Sequence, residues 1–135
     1  MLCQAIEAGK PGHIIRDLTG APSEVLCTNH SGFGDRLKEA FAEDWVVSAG
    51  TTHEPGPLPI ATPYGGTGLV YGHAYSILDV AEVPTPPSEI GCGYQDSKTL
   101  LIKLRNPWGC KEWTGKWSDA SSLWTPELKE KLGVK

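Results

Sequence analysis

The strongest constraint on this fold is a pair of apolar runs, GLVYGHAYSILDVAEV at residues 68–83 and TLLIKLR at residues 99–105. Read with a period of two, the first places Leu69, Tyr71, His73, Tyr75 and Ile77 on one face and Val70, Ala74, Leu78 and Val80 on the other. A strand apolar on both faces belongs in the middle of a sheet. The second places Leu100, Ile102 and Leu104 opposite Leu101, Lys103 and Arg105. It stops at Asn106, because Pro107 holds the preceding residue extended and has no N–H for a ladder, so the Asn106 side chain is presented at a strand end. Taken singly, His73 reads as a core histidine bonded through one nitrogen, and Asn106 as an ordinary turn residue before proline. Taken together, they suggest different chemistry. An imidazole can draw the proton from a thiol while a neutral amide orients the ring through its other nitrogen, and neighbouring strands can bring such a pair together.

The flanking segments supply helices and loops. Residues 1–10 fit the tail of a helix stopped by Gly9, with a bend at Pro11 and a breaker cluster at Gly20, Ala21 and Pro22. Leu37, Phe41 and Trp45 recur at helical spacing, predicting a helix over residues 35–45 capped by Asp35. WVVSAGTT then reads as a strand running into a Pro- and Gly-rich loop at residues 53–68, long enough to be functional or mobile. GGTG within it lacks the Gly-Lys-Ser/Thr and following helix of a phosphate cradle. Residues 84–97 form a second insert, and TPELKEKLG predicts a helix capped by Thr125 with Pro126 at its first position.

Composition narrows the partners. A net charge of −4 with no basic run argues against nucleic acid, no apolar stretch is long enough for a membrane span, and no secretory leader is evident. A soluble, intracellular (cytoplasmic) protein with free thiols is expected, so Cys3, Cys27, Cys92 and Cys110 are assigned no disulfides. Cys27 and His30 are spaced C-x-x-H, with Cys3 and His13 upstream, which leaves a small zinc module as an alternative.

GLVYGHAYSILDVAEV followed by LLIKLRNPWGCKEWTGKWSD closely resembles the second, His/Asn-bearing half of the calpain cysteine-protease core. AIEAGKPGHIIRDLTGAPSEVL and LKEAFAEDWVVSAGTT resemble the entry to that subdomain and its helix and following strand, so the similarity covers nearly the whole chain. It implies an α+β, papain-like subdomain: an antiparallel sheet flanked by a few helices, forming a single domain over residues 1–135 that is truncated at its C-terminal end. The same resemblance makes His73 the general base, Asn106 its orienting amide and Trp108 the ring shielding their bond. Residues 64–72 become a gate over the cleft, and Glu112 and Asp119 become ligands of a regulatory calcium ion, against the plainer reading of surface carboxylates. No cofactor is required for the chemistry. The implied partners are the Cys-bearing subdomain of the same protease and protein or peptide substrates. None of the four cysteines has the Gly-x-Cys-Trp-like setting of the family nucleophile, so this piece is expected to be inactive alone. The alternative is a non-catalytic calpain-like module used for protein binding or scaffolding.

Overall fold

The computed structural model describes residues 10–51, 63–64, 66–86 and 97–134. The helix expected at the amino terminus falls on residues 1–9, outside the described set. The first described helix, α1 (Pro11–Thr19), begins at Pro11, where the sequence had suggested a bend. Proline is well suited to a first helical position: the N–H it lacks would have no partner there, and its φ is already helical. Gly20 closes α1 in the left-handed region (φ 71°), returning its N–H to the Arg16 carbonyl at 2.8 Å.

The second helix, α2 (Phe33–Ala42), starts earlier and stops sooner than its periodicity suggests. Its cap is Gly32 (φ 82°), and Asp35 lies within the first turn, where a carboxylate complements the helix dipole without a side-chain cap bond. The end is set by Asp44 (φ 55°), which lets the Trp45 N–H reach back to the Ala40 carbonyl at 2.9 Å, the six-to-one closure of a Schellman turn. Trp45 thus leaves the helix and stays 47 % exposed, with the Arg36 guanidinium 4.7 Å from its ring centre.

Three antiparallel strands follow in the spatial order β1 (Ser48–Gly50), β4 (Ala74–Pro84), β5 (Lys98–Arg105). Between β1 and β4 in sequence, β2 (Pro63–Tyr64) and β3 (Leu69–Val70) form a separate antiparallel pair. The long apolar run is therefore not one strand: Gly72 (φ 60°) turns the chain between β3 and β4. As expected, β4 is central. Its pairing with β5 slips between Ile77 and Asp79, and Leu78 at this bulge, placed by its period on the face shared with Val70 and Val80, is 49 % exposed.

The described core is small. Leu37 and Ala40 of α2 are buried, together with Val70, Tyr75 and Val83 from the strands. Full burial of a side chain such as Leu37 or Val83 contributes about 1.5–3 kcal/mol. α2 lies over the cross-strand pair Glu82 and Leu100: Lys38 Nζ sits 2.7 Å from Glu82, and the Leu100 side chain fills the space beside Gly34. A last helix, α3 (Pro126–Leu132), opens as its sequence predicts, with the Thr125 hydroxyl accepting the Leu128 N–H at 3.2 Å. The architecture is α+β, and among the described residues no helix is long and apolar enough to cross a membrane.

Candidate active site

Antiparallel pairing of Ser76 with Arg105 sets the start of β4 beside the end of β5. His73 stands just before the first of these strands and Asn106 just after the second. Their side chains meet, His73 Nε2 lying 2.9 Å from Asn106 Oδ1.

The surroundings of Asn106 decide which end of its amide faces the ring. One nitrogen, Nδ2, donates to the carbonyls of Cys110 (2.6 Å) and Lys111 (3.2 Å), while Oδ1 accepts the Trp108 N–H at 3.1 Å. A flipped amide would set oxygen against two carbonyls and NH₂ against an N–H, losing all three bonds. Oδ1 can only accept, so Nε2 of His73 carries the hydrogen and the neutral ring keeps its lone pair on Nδ1. Nδ1 is then the atom that can take a proton. The loop supplying the two carbonyls turns through Gly109 (φ 66°) and Lys111 (φ 61°).

Two aromatic rings bracket the imidazole. Trp108 lies against it at 4.1 Å between ring centres, tilted by 41°, and Tyr75 meets it edge-on at 4.8 Å. Tyr75 is buried, its hydroxyl accepting the Val70 N–H at 3.0 Å, whereas Trp108 is 45 % exposed.

The remaining sequence candidates sit differently. Glu112 and Asp119 are exposed, and among the described residues no three His, Cys, Asp or Glu side chains gather as a metal site. Their oxygen chemistry suits calcium, but the described residues alone do not complete its coordination. The same statement covers Cys27 and His30, which share a turn through a His30 N–H to Cys27 carbonyl bond at 3.0 Å. Cys27 and Cys110 are exposed free thiols, while Cys3 and Cys92 lie outside the described residues. Of the gate segment, Thr67 and Gly68 pack on the loop after Asn106: the Thr114 N–H bonds the Thr67 carbonyl at 2.9 Å, and Gly68 (φ 87°) leaves no room for a Cβ against the Glu112 carbonyl. Sequence reasoning missed Tyr75 and the Cys110 and Lys111 carbonyls, since a backbone carbonyl carries no side-chain signal.

A neutral histidine held by an asparagine amide in this geometry can accept a proton at Nδ1, and comparisons with known proteins give the family to which the chain belongs. The family described as calpain family cysteine protease matches residues 2–135. This chain belongs to the calpain family of cysteine proteases. It is 34 % identical to human calpain-12 over 137 residues, covering 98 % of this chain and 17 % of that protein. It is also 34 % identical to mouse calpain-5 over 149 residues, covering 97 % of the chain and 22 % of that relative. A 70-residue stretch is 46 % identical to the bovine calpain-1 catalytic subunit, covering 50 % of the chain and 8 % of that protein. The chain thus spans about a fifth of the length of these first two calpains. The α+β sheet and flanking helices fit the papain-like architecture of the family.

Proposed function

We propose that this chain is a single domain, the His/Asn-bearing subdomain of a calpain-type cysteine endopeptidase acting on proteins. The observation that carries the proposal is the 2.9 Å contact between His73 Nε2 and Asn106 Oδ1, with the amide oriented by three backbone bonds. In the complete enzyme a cysteine from the preceding subdomain gives its thiol proton to His73 Nδ1, and the thiolate attacks the peptide carbonyl. The imidazolium returns that proton to the departing amine as the acyl–sulfur intermediate forms. Water, deprotonated by the same nitrogen, then releases the acid and the thiol. Asn106 holds the ring's tautomer and plane throughout, and Trp108 covers their bond at the cleft.

The partner is therefore the Cys-bearing subdomain, the location is intracellular, and the piece alone is inactive. Calcium acts as a regulator, drawing oxygen ligands from Glu112 and Asp119 together with groups outside the described residues, and it takes no part in the chemical steps. The test is His73→Ala in the full-length enzyme, assayed on a protein substrate. Turnover is expected to vanish while the thermal midpoint stays near wild type, and a peptidase rate equal to wild type would refute the assignment.

A further inference from the structure

The turn that delivers His73 to the site is bridged by a side chain. Val70, Tyr71, Gly72 and His73 make a four-residue turn with Gly72 at φ 60°, and such turns usually close by a bond from the last N–H to the first carbonyl. Here the side chain of Thr51, one residue past β1, bonds both of those groups. The Thr51 hydroxyl accepts the His73 N–H at 3.0 Å and donates to the Val70 carbonyl at 2.5 Å. Thr51 also gives its own N–H to the His73 carbonyl at 3.0 Å, extending the β1 to β4 pairing by one residue. Both backbone groups of His73 thus end on one residue that lies 22 positions away.

We propose that Thr51 is a positioning residue for the general base, its hydroxyl acting as a spacer that sets how far His73 stands from Asn106. The inference rests on the catalytic reading of His73 given above. One hydroxyl uses its single hydrogen on Val70 and a lone pair on His73, so both partners are satisfied at once. Without it, two partly buried backbone groups lose their partner or the turn closes directly, and closing draws His73 toward Val70. A shift on the order of 1 Å in a catalytic group can cost about 100-fold in rate. Thr51 makes no contact with Asn106 in the described bonding, so its effect reaches the chemistry only through the backbone of His73.

The test compares Thr51→Val, which keeps the branched shape and removes the hydroxyl, with Thr51→Ser, which keeps the hydroxyl. In the full-length enzyme, Thr51→Val is expected to lower kcat by about 10- to 100-fold with KM little changed, and Thr51→Ser to stay within about threefold of wild type. Nitrogen NMR of labelled histidine should show His73 as the Nε2–H tautomer in wild type and Thr51→Ser, and a mixture in Thr51→Val. Wild-type kcat in Thr51→Val, or equal losses in the two variants, would overturn the proposal. Should Thr51→Val not fold, hydrogen exchange at the His73 amide of the wild-type enzyme decides the matter. Slow exchange supports the hydroxyl bond, and exchange as fast as that of an open turn removes it. An active His73→Ala enzyme would sink the catalytic reading instead, leaving the amide measurement to report on the bridge by itself.

Discussion

Asn106 is held by more bonds than it gives to the imidazole, and this makes its chemistry testable apart from its size. Asn106→Asp retains an acceptor for His73 but turns a carboxylate oxygen toward the Cys110 and Lys111 carbonyls, which now receive Nδ2 at 2.6 and 3.2 Å. The repulsion should swing the side chain out of its plane and misorient the ring. In the full-length enzyme kcat is expected to fall about 10- to 100-fold with a smaller change in KM. Activity within twofold of wild type would show that the backbone clamp does not orient the pair. At this scale the sequence revealed residue types and little else. That Asn106 ends a strand follows from Pro107, a local steric effect, but which face of its amide meets His73 depends on carbonyls from a loop that turns at Gly109 and Lys111.

The secondary-structure elements differ in how far local rules carried. α3 formed where its capping threonine and first-turn proline placed it, and Thr125→Ala should cost about 1 kcal/mol, read as a lower thermal midpoint. α1 was hidden because Pro11 stops a preceding helix as readily as it starts a following one, and only the chain's direction afterwards distinguishes the two. The break between β3 and β4 was hidden by an unbroken apolar pattern, Gly72 being the only local hint. Two glycines separate backbone strain from packing. Gly20 (φ 71°) faces open space, so Gly20→Ala should cost about 1 kcal/mol, whereas Gly68 (φ 87°) abuts the Glu112 carbonyl as well. Gly68→Ala should therefore lower the thermal midpoint at least twice as far, and it alone should reduce activity, since it parts the segment before His73 from the loop after Asn106. Equal midpoints for the two variants would show that the Glu112 contact yields without cost.

Across the molecule, α2 is tied to the sheet by charge as well as by Leu37 and Ala40. The hydrogen bond from Lys38, with Lys98 adding to it, holds the Glu82 carboxyl below the usual carboxylate range. The folded protein thus binds that proton less readily than the unfolded chain. The contribution is present above the ordinary carboxylate range and is lost as pH falls through the depressed value. Lys38→Met should flatten the acid limb of the stability curve, and its difference from wild type should shrink in about 0.5 M salt, because the pair is solvent-exposed and screened. Trp45 and Val46, at 47 % and 79 % exposed, and Trp108 leave apolar surface uncovered on the same chain. Produced alone, residues 1–135 should bind a hydrophobic dye and cleave no peptide, and supplying the Cys-bearing half should suppress the first and restore the second. Cleavage by the isolated chain would mean that the nucleophile lies within it.

The amino-acid order alone determined the features that depend on near neighbours: two apolar runs with a two-residue period, an asparagine stopped at a strand end by proline, and a helix started by threonine and proline. Tertiary structure decided what depends on distant partners. The His73 to Asn106 bond spans 33 positions and the Thr51 bridge 22, and the bulge at Leu78 exists only in the register between two strands. Steric preference and periodicity act over a few residues and can be read along the chain. Hydrogen bonds across a sheet depend on which atoms the fold brings within about 3 Å, and no local pattern specifies that.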